Sequence, residues 1–119
     1  MQDFRDLVVW QKAHELALLI YKCTAQFPSQ EIYGLTSQMR RAVVSIPSNI
    51  AEGCARATDP DFARYCSIAL GSASELDYQL ILAKDLGFVS ESTFSETSTL
   101  TQEVKKMLNA LLQKLRKSY

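Results

Sequence analysis

The stretch Arg40-Arg41-Ala42-Val43-Val44-Ser45-Ile46-Pro47-Ser48-Asn49-Ile50-Ala51-Glu52-Gly53-Cys54-Ala55-Arg56 decides how this chain folds. Its apolar residues Met39, Ala42 or Val43, Ile46 and Ile50 extend a stripe that begins at Leu35, the spacing of one helical face. A helix therefore starts between Tyr33 and Thr36, and Gly53 closes its stripe. Pro47 sits inside it. A proline there costs roughly 3 kcal/mol, because it removes an amide donor and presses on the carbonyl four residues back, that of Val43. Either the helix ends near Ser45 and restarts under a Ser45 or Ser48 cap, or it continues with a kink. Ile46 and Ile50 stay in phase with Leu35 and Met39 across the proline, which favours the kink. Projected at about 100° per residue, Arg41, Ser45, Asn49, Glu52 and Arg56 form a polar flank, while Val44 and Ala51 lie away from the seam. A helix with two apolar faces calls for two partners.

The segments on either side repeat the pattern. Val9, Ala13, Leu16, Ile20, Cys23 and Phe27 alternate four and three residues apart, predicting a first helix capped by Asp6 and ended by Pro28. A second stripe, Trp10, His14, Ala17 and Tyr21, widens its apolar face beyond what a two-stranded coil requires. Thr58-Asp59-Pro60-Asp61 marks the start of a third helix, with Thr58 or Asp59 as cap and acid near the positive end of the dipole. Its seam is Phe62, Cys66, Ala69, Ala73, Leu76, Leu80 and Ala83, and Gly87 stops it. The small residues Ala69, Gly71, Ser72 and Ala73 predict close approach of another helix. After a loop around Val89 to Ser92, the residues Phe94, Thr97, Thr101, Val104, Leu108, Leu111 and Leu115 predict a fourth helix, frayed at its Ser/Thr-rich start. The expectation is all-α: one domain over residues 1–119, an antiparallel up-down-up-down four-helix bundle.

Composition is consistent with this and excludes several function classes. At 119 residues and 47% hydrophobic content, the chain buries roughly two-thirds of its unfolded surface without disulfides or metal. Thirteen basic residues balance thirteen acidic ones, whereas a strong nucleic-acid binder is usually basic. Cys23, Cys54 and Cys66 share no metal-ligand spacing and read as reduced thiols in the cytoplasm. No export signal or membrane-length apolar run occurs, so no membrane partner is expected.

No constellation of residues specifies a reaction. His14-Glu15 suggests a zinc helix until position 18 proves to be Leu rather than a second His, and no Glu-x-x-His pair is present. Ser45 and Ser48 lack a base nearby in sequence, and Gly34, Gly53, Gly71 and Gly87 are isolated rather than grouped in a phosphate loop. No catalytic, cofactor-binding or metal residue is assigned, and no cofactor is expected. The polar flank, taken with Pro47 and Glu75, has two readings: hydrogen bonding within the bundle to Ser72, Glu75 and Gln79, or a contact with a subunit or ligand. At the C-terminal end, Lys105, Lys106, Lys114, Arg116 and Lys117 follow the last acid, Glu103. Lys105 aligns with Arg116 and Lys106 with Lys117, giving stripes that either follow a phosphate backbone or are a solvated face favoured by the helix dipole.

Several strings carry a family resemblance: Val9-Trp10-Gln11-Lys12-Ala13, Phe27-Pro28, Tyr33 to Ala42, Ser45-Ile46-Pro47-Ser48-Asn49-Ile50-Ala51-Glu52-Gly53, and Gly71-Ser72-Ala73-Ser74-Glu75-Leu76. With them the chain resembles the bacterial four-helix-bundle proteins first noticed as reading frames within intervening sequences of 23S rRNA genes. It is also similar to the accessory variability proteins of diversity-generating retroelements. The resemblance implies a protomer that assembles into a homopentameric ring or barrel without established catalytic activity. In the retroelement relatives it implies a basic surface that binds nucleic acid and the reverse transcriptase, a pattern from which this chain departs with its net charge of zero. Two functions follow as hypotheses: a homo-oligomeric scaffold or adaptor for a protein partner, and an RNA- or DNA-associated accessory factor.

Overall fold

The chemistry of the helix ends sets the lengths of the four rods. In the computed structural model, which describes residues 2–119, these are α1 (Val8–Thr24), α2 (Leu35–Cys54), α3 (Asp59–Asp85) and α4 (Glu91–Lys117). Thr58 Oγ1 accepts the Asp61 amide at 3.4 Å to start α3, and Ser90 Oγ accepts the Thr93 amide at 3.1 Å to start α4. The end of α3 is a Schellman turn. Gly87 adopts φ 79°, its amide reaches the Lys84 carbonyl, and the Phe88 amide reaches that of Ala83, each at 2.9 Å. Among the described residues there is no strand.

The local expectations differ from the structure in four places. Asp6 does not cap α1. It closes a 3-10 turn over Phe4–Asp6 whose own cap is Asp3, and Leu7 occupies the α1 N-cap without a side-chain bond. The first helix ends at Thr24, ahead of Pro28, where the Gln26 and Phe27 amides tighten onto the Cys23 and Thr24 carbonyls, each at 3.1 Å. Gly71 is exposed with no neighbour within 4 Å of where a Cβ would stand, so it admits no helix inside the bundle. Finally, α4 is regular from Glu91: Thr97 and Thr101 are buried and donate to the carbonyls of Thr93 and Thr97, at 2.8 and 2.7 Å.

Contacts along each pair of neighbours give their directions. Ser45 meets Ser72, and nearer the α2–α3 turn Gly53 meets Phe62, so these helices are antiparallel. Lys84 pairs with Glu91, Asp77 with Lys105, and Ser67 with Arg116, which makes α3 and α4 antiparallel as well. Lys12 pairs with Glu103, while Cys23 lies beside Thr97, reversing α4 against α1. Among the described residues no Cα of α1 lies within 8 Å of one in α3, nor does any of α2 lie so near α4, so each pair lies on a diagonal of a square bundle measuring 46 × 23 × 20 Å.

One apolar core runs through all four helices, including Leu16, Ile20, Met39, Ile46, Ile50, Leu76, Leu80, Val104 and Leu108, each fully buried. Burying such a side chain contributes about 1.5–3 kcal/mol. Along α4 the seam passes through Leu112, with Leu111 half buried beside it. The closest approach is at Gly53, where an added Cβ would stand 2.7 Å from Phe62 Cδ1 and 3.0 Å from Tyr65 Cβ. Gly53→Ala gains helix propensity of about 1 kcal/mol but forces α2 from α3, at a cost of about 1–3 kcal/mol. A lowered Tm is expected; an unchanged or raised Tm would show that the helices do not touch there.

All three thiols lie in or against this core. Burial pushes Cys23 up to about 11 and Cys66 to about 12, and raises Cys54 as well. The unfolded chain therefore loses thiol protons first as pH rises, so stability falls from about pH 9 until the folded values are passed. Unfolding midpoints in urea at pH 7.5 and 10 should show this loss, and a triple Cys→Ala variant should lose less between the two. In the native protein at pH 8, a disulfide reagent should react with Cys66 only on the timescale of unfolding.

Candidate functional site

Three surfaces gather the side chains that carry polar chemistry. The first is the seam between α2 and α3. Asn49 Nδ2 donates to the Ser45 carbonyl at 2.8 Å and to Ser45 Oγ at 3.0 Å. Ser45 Oγ lies 2.8 Å from Ser72 Oγ, and either hydroxyl can donate across this contact. The helix runs through Pro47 without interruption, and the proline ring is buried. Pro47 leaves the Val43 carbonyl without its amide partner, and the Asn49–Ser45–Ser72 chain ties the next turn of α2 to α3.

The remaining flank residues do local work. Glu52 and Arg56 pair at 3.2 Å on the surface, a contact that contributes only tenths of a kcal/mol. Arg56 also lies 4.9 Å from the centroid of Tyr65 on α3. Glu75 and Gln79 do not cross to α2 as expected: Gln79 Nε2 donates along α3 to Glu75 at 3.0 Å. Gln79 is 3% exposed, and among the described residues its Oε1 has no hydrogen-bond partner.

The second surface is a groove of about 580 Å³ on the outside of α1 and α2, lined by Tyr21, Ile32, Thr36, Arg40, Arg41 and Val44. Arg40 is fastened into it. Its Nε donates to Thr24 Oγ1 at 2.9 Å, its Nη2 to the Tyr21 carbonyl at 3.3 Å, and its guanidinium stands 4.6 Å from the Tyr21 ring centroid. Arg41 is exposed and forms no ion pair among the described residues. Tyr21, Ile32 and Val44 are each more than 40% exposed, so the floor is apolar and open. Sequence reasoning placed Tyr21 and Val44 outside the seams but did not join them, because Ile32 comes from the loop between the helices.

The third surface is the basic end of α4, and here the structure corrects the reading from the chain. Lys105 is not unopposed: its Nζ lies 3.1 Å from Asp77, an acid that the antiparallel partner α3 supplies from 28 residues away. Arg116 Nη2 donates to Ser67 Oγ at 3.2 Å. Lys106, Lys114 and Lys117 are exposed and free of ion pairs among the described residues. Asp59, which accepts a hydrogen bond from Ser118, shares a cleft with Lys114 and places acid beside it.

Chemically, these surfaces hold helices and present contacts. His14 stacks on Trp10 at 5.2 Å with an interplanar angle of 6°, on the exposed side of α1. The Ser45 hydroxyl is committed to Ser72, with no imidazole or carboxylate bonded to it. Among the described residues no group of three or more His, Cys, Asp or Glu side chains could hold a metal ion, and no helix is long and apolar enough to cross a membrane.

Comparison with known proteins agrees with the fold. No curated protein sequence matches the chain. Among solved structures, it is similar to a protein of unknown function from the S23 ribosomal protein family of Bacteroides thetaiotaomicron VPI-5482, with a TM-score of 0.80 and 27% identity. That match covers 88% of this chain and 98% of the other. The model of the 23S rRNA-intervening sequence protein family matches residues 5–110, a span that holds the α2–α3 seam and nearly all of the core. This chain belongs to the 23S rRNA-intervening sequence protein family.

Proposed function

We propose that this protein is a non-enzymatic, cytoplasmic scaffold or adaptor that works as a homo-oligomer, a ring of five copies. The observation that carries the reading is a difference between the outward faces of the helices. On α4 that face is Ser95, Thr99, Gln102, Lys106, Asn109 and Gln113, all polar and exposed, as a solvent-facing helix requires. Each of the other three helices exposes large apolar side chains, Leu18 and Tyr21 on α1, Val44 on α2, Tyr78 and Ile81 on α3, each between 41% and 61% exposed. Exposed apolar side chains of this kind are what subunit contacts cover. The polar flank of α2 is already engaged inside the bundle at Ser45 and Asn49, so the contact is better sought on the Val44 side. Free thiols, as all three cysteines are, suit a reducing compartment.

The second reading, an RNA- or DNA-associated accessory role, is favoured by Lys106, Lys114 and Lys117, which keep their charges free on α4, the helix that a ring leaves in solvent. A net charge of zero and the Lys105–Asp77 pair weigh against it.

Three measurements check these readings. Sedimentation equilibrium at micromolar concentration should give a mass about five times that of the 13.4 kDa protomer; a strict monomer would refute the ring. Asn49→Ala removes two hydrogen bonds within the protomer and should lower stability by about 1–2 kcal/mol while leaving the assembled mass unchanged. A smaller assembly at unchanged Tm would instead place Asn49 between subunits. Fluorescence anisotropy with a structured RNA should show no saturable, salt-sensitive binding at 50 mM salt. Binding that Lys106→Glu and Lys117→Glu abolish would transfer the function to the second reading.

A further inference from the structure

Beyond the seam that faces the core, α3 carries a second stripe of the same period on its outer side: Gly71, Ser74, Tyr78, Ile81 and Asp85, alternating three and four residues apart and all exposed. Nothing inside the protomer accounts for it. Gly71 lies mid-helix, where glycine disfavours the helix, yet it has no positive φ and no neighbour within 4 Å of a built Cβ. Asp85 has no ion pair among the described residues. A small residue in that position leaves room for a helix from outside to approach closely.

The outer side of α2 presents the complementary stripe: Ser37, Arg41, Val44, Ser48 and Ala51. Laid antiparallel, the two stripes place Gly71 opposite Ala51, Ser74 opposite Ser48, Tyr78 opposite Val44, Ile81 opposite Arg41 and Asp85 opposite Ser37. Small residues meet small ones at one end. At the other, Tyr78 and Ile81 cover the open floor around Val44 and Tyr21, and the Asp85 carboxylate faces both the positive N-terminal turn of α2 and the unpaired Arg41.

We infer that the outer stripe of α3 seats on the outer stripe of α2 of a second copy of this chain, a head-to-tail contact that repeats around a ring. The inference rests on the homo-oligomer reading and names its two surfaces. Within a protomer α2 and α3 run in opposite directions, so in a ring whose copies all point the same way, α3 of one copy meets α2 of the next antiparallel, as the matched stripes require. Helices α2 and α3 occupy adjacent corners of the square, so one copy can offer its two stripes to two different neighbours, as a ring requires.

Sedimentation of the full chain and its variants tests this. Gly71→Gln adds a helix-favouring side chain where the protomer has open space, so its circular dichroism should match that of the unaltered protein, but its assembly should weaken by about tenfold or more. Arg41→Asp and Asp85→Arg should each dissociate the assembly, and the double variant should restore it. Thr99→Gln, on the polar face of α4, should assemble normally. If the unaltered chain is monomeric, the homo-oligomer reading fails and this contact with it. If the unaltered chain assembles and Gly71→Gln and both charge reversals assemble equally well, the inference alone is overturned.

Discussion

The structure depends on the contact between α2 and α3, and that contact must absorb a proline. Pro47 removes one rung of the α2 ladder at the level where Ile46 and Ile50 fill the core. Two features keep the helix in place through the defect. Asn49, Ser45 and Ser72 form a continuous hydrogen-bonded chain from one helix to the other. One turn further on, Gly53 brings the α2 backbone against Phe62 and Tyr65. The first is directional and the second steric, so together they set both the rotation of α2 and its distance from α3. Once α2 is fixed, Val44 points outward and Arg40 reaches back over Tyr21, which shapes the groove between α1 and α2.

The same placement leaves α4 with a polar outer side and the other three helices with exposed apolar side chains. The outer side of α4 is polar from Ser95 to Gln113, while α3 and α2 turn matched outer stripes of small and apolar residues away from the core. In this account α4 is the outer skin of the assembly and the other three helices build its joints. A neutral protein with charges distributed in this way suits protein contacts better than a polyanion. Within the polar flank of α2, the Ser45 hydroxyl and the Asn49 amide are used inside the protomer, whereas Arg41 stays exposed.

How much of this was legible depends on the range of the interaction concerned. The four helices, the Thr58 cap, the Gly87 stop and the continuity of α2 through Pro47 follow from local chemistry and phase, and the structure agrees with each. The Ser45–Ser72 contact was within reach because both residues lie on predictable flanks. Distant partners were not. Lys105 looked free because Asp77 is far away in sequence, and the expected role of Gly71 within the bundle failed because the rotation of a helix by a fraction of a turn decides which small residues face inward. Ile32 could not be assigned to the groove because loop geometry carries no period.

Tyr78 and Tyr119 are each 61% exposed in the protomer, which makes them a matched pair for hydroxyl-radical footprinting of the intact protein. If the outer face of α3 is buried against another copy, Tyr78 should be oxidised several-fold more slowly than Tyr119. Equal rates for the two rings would contradict the account.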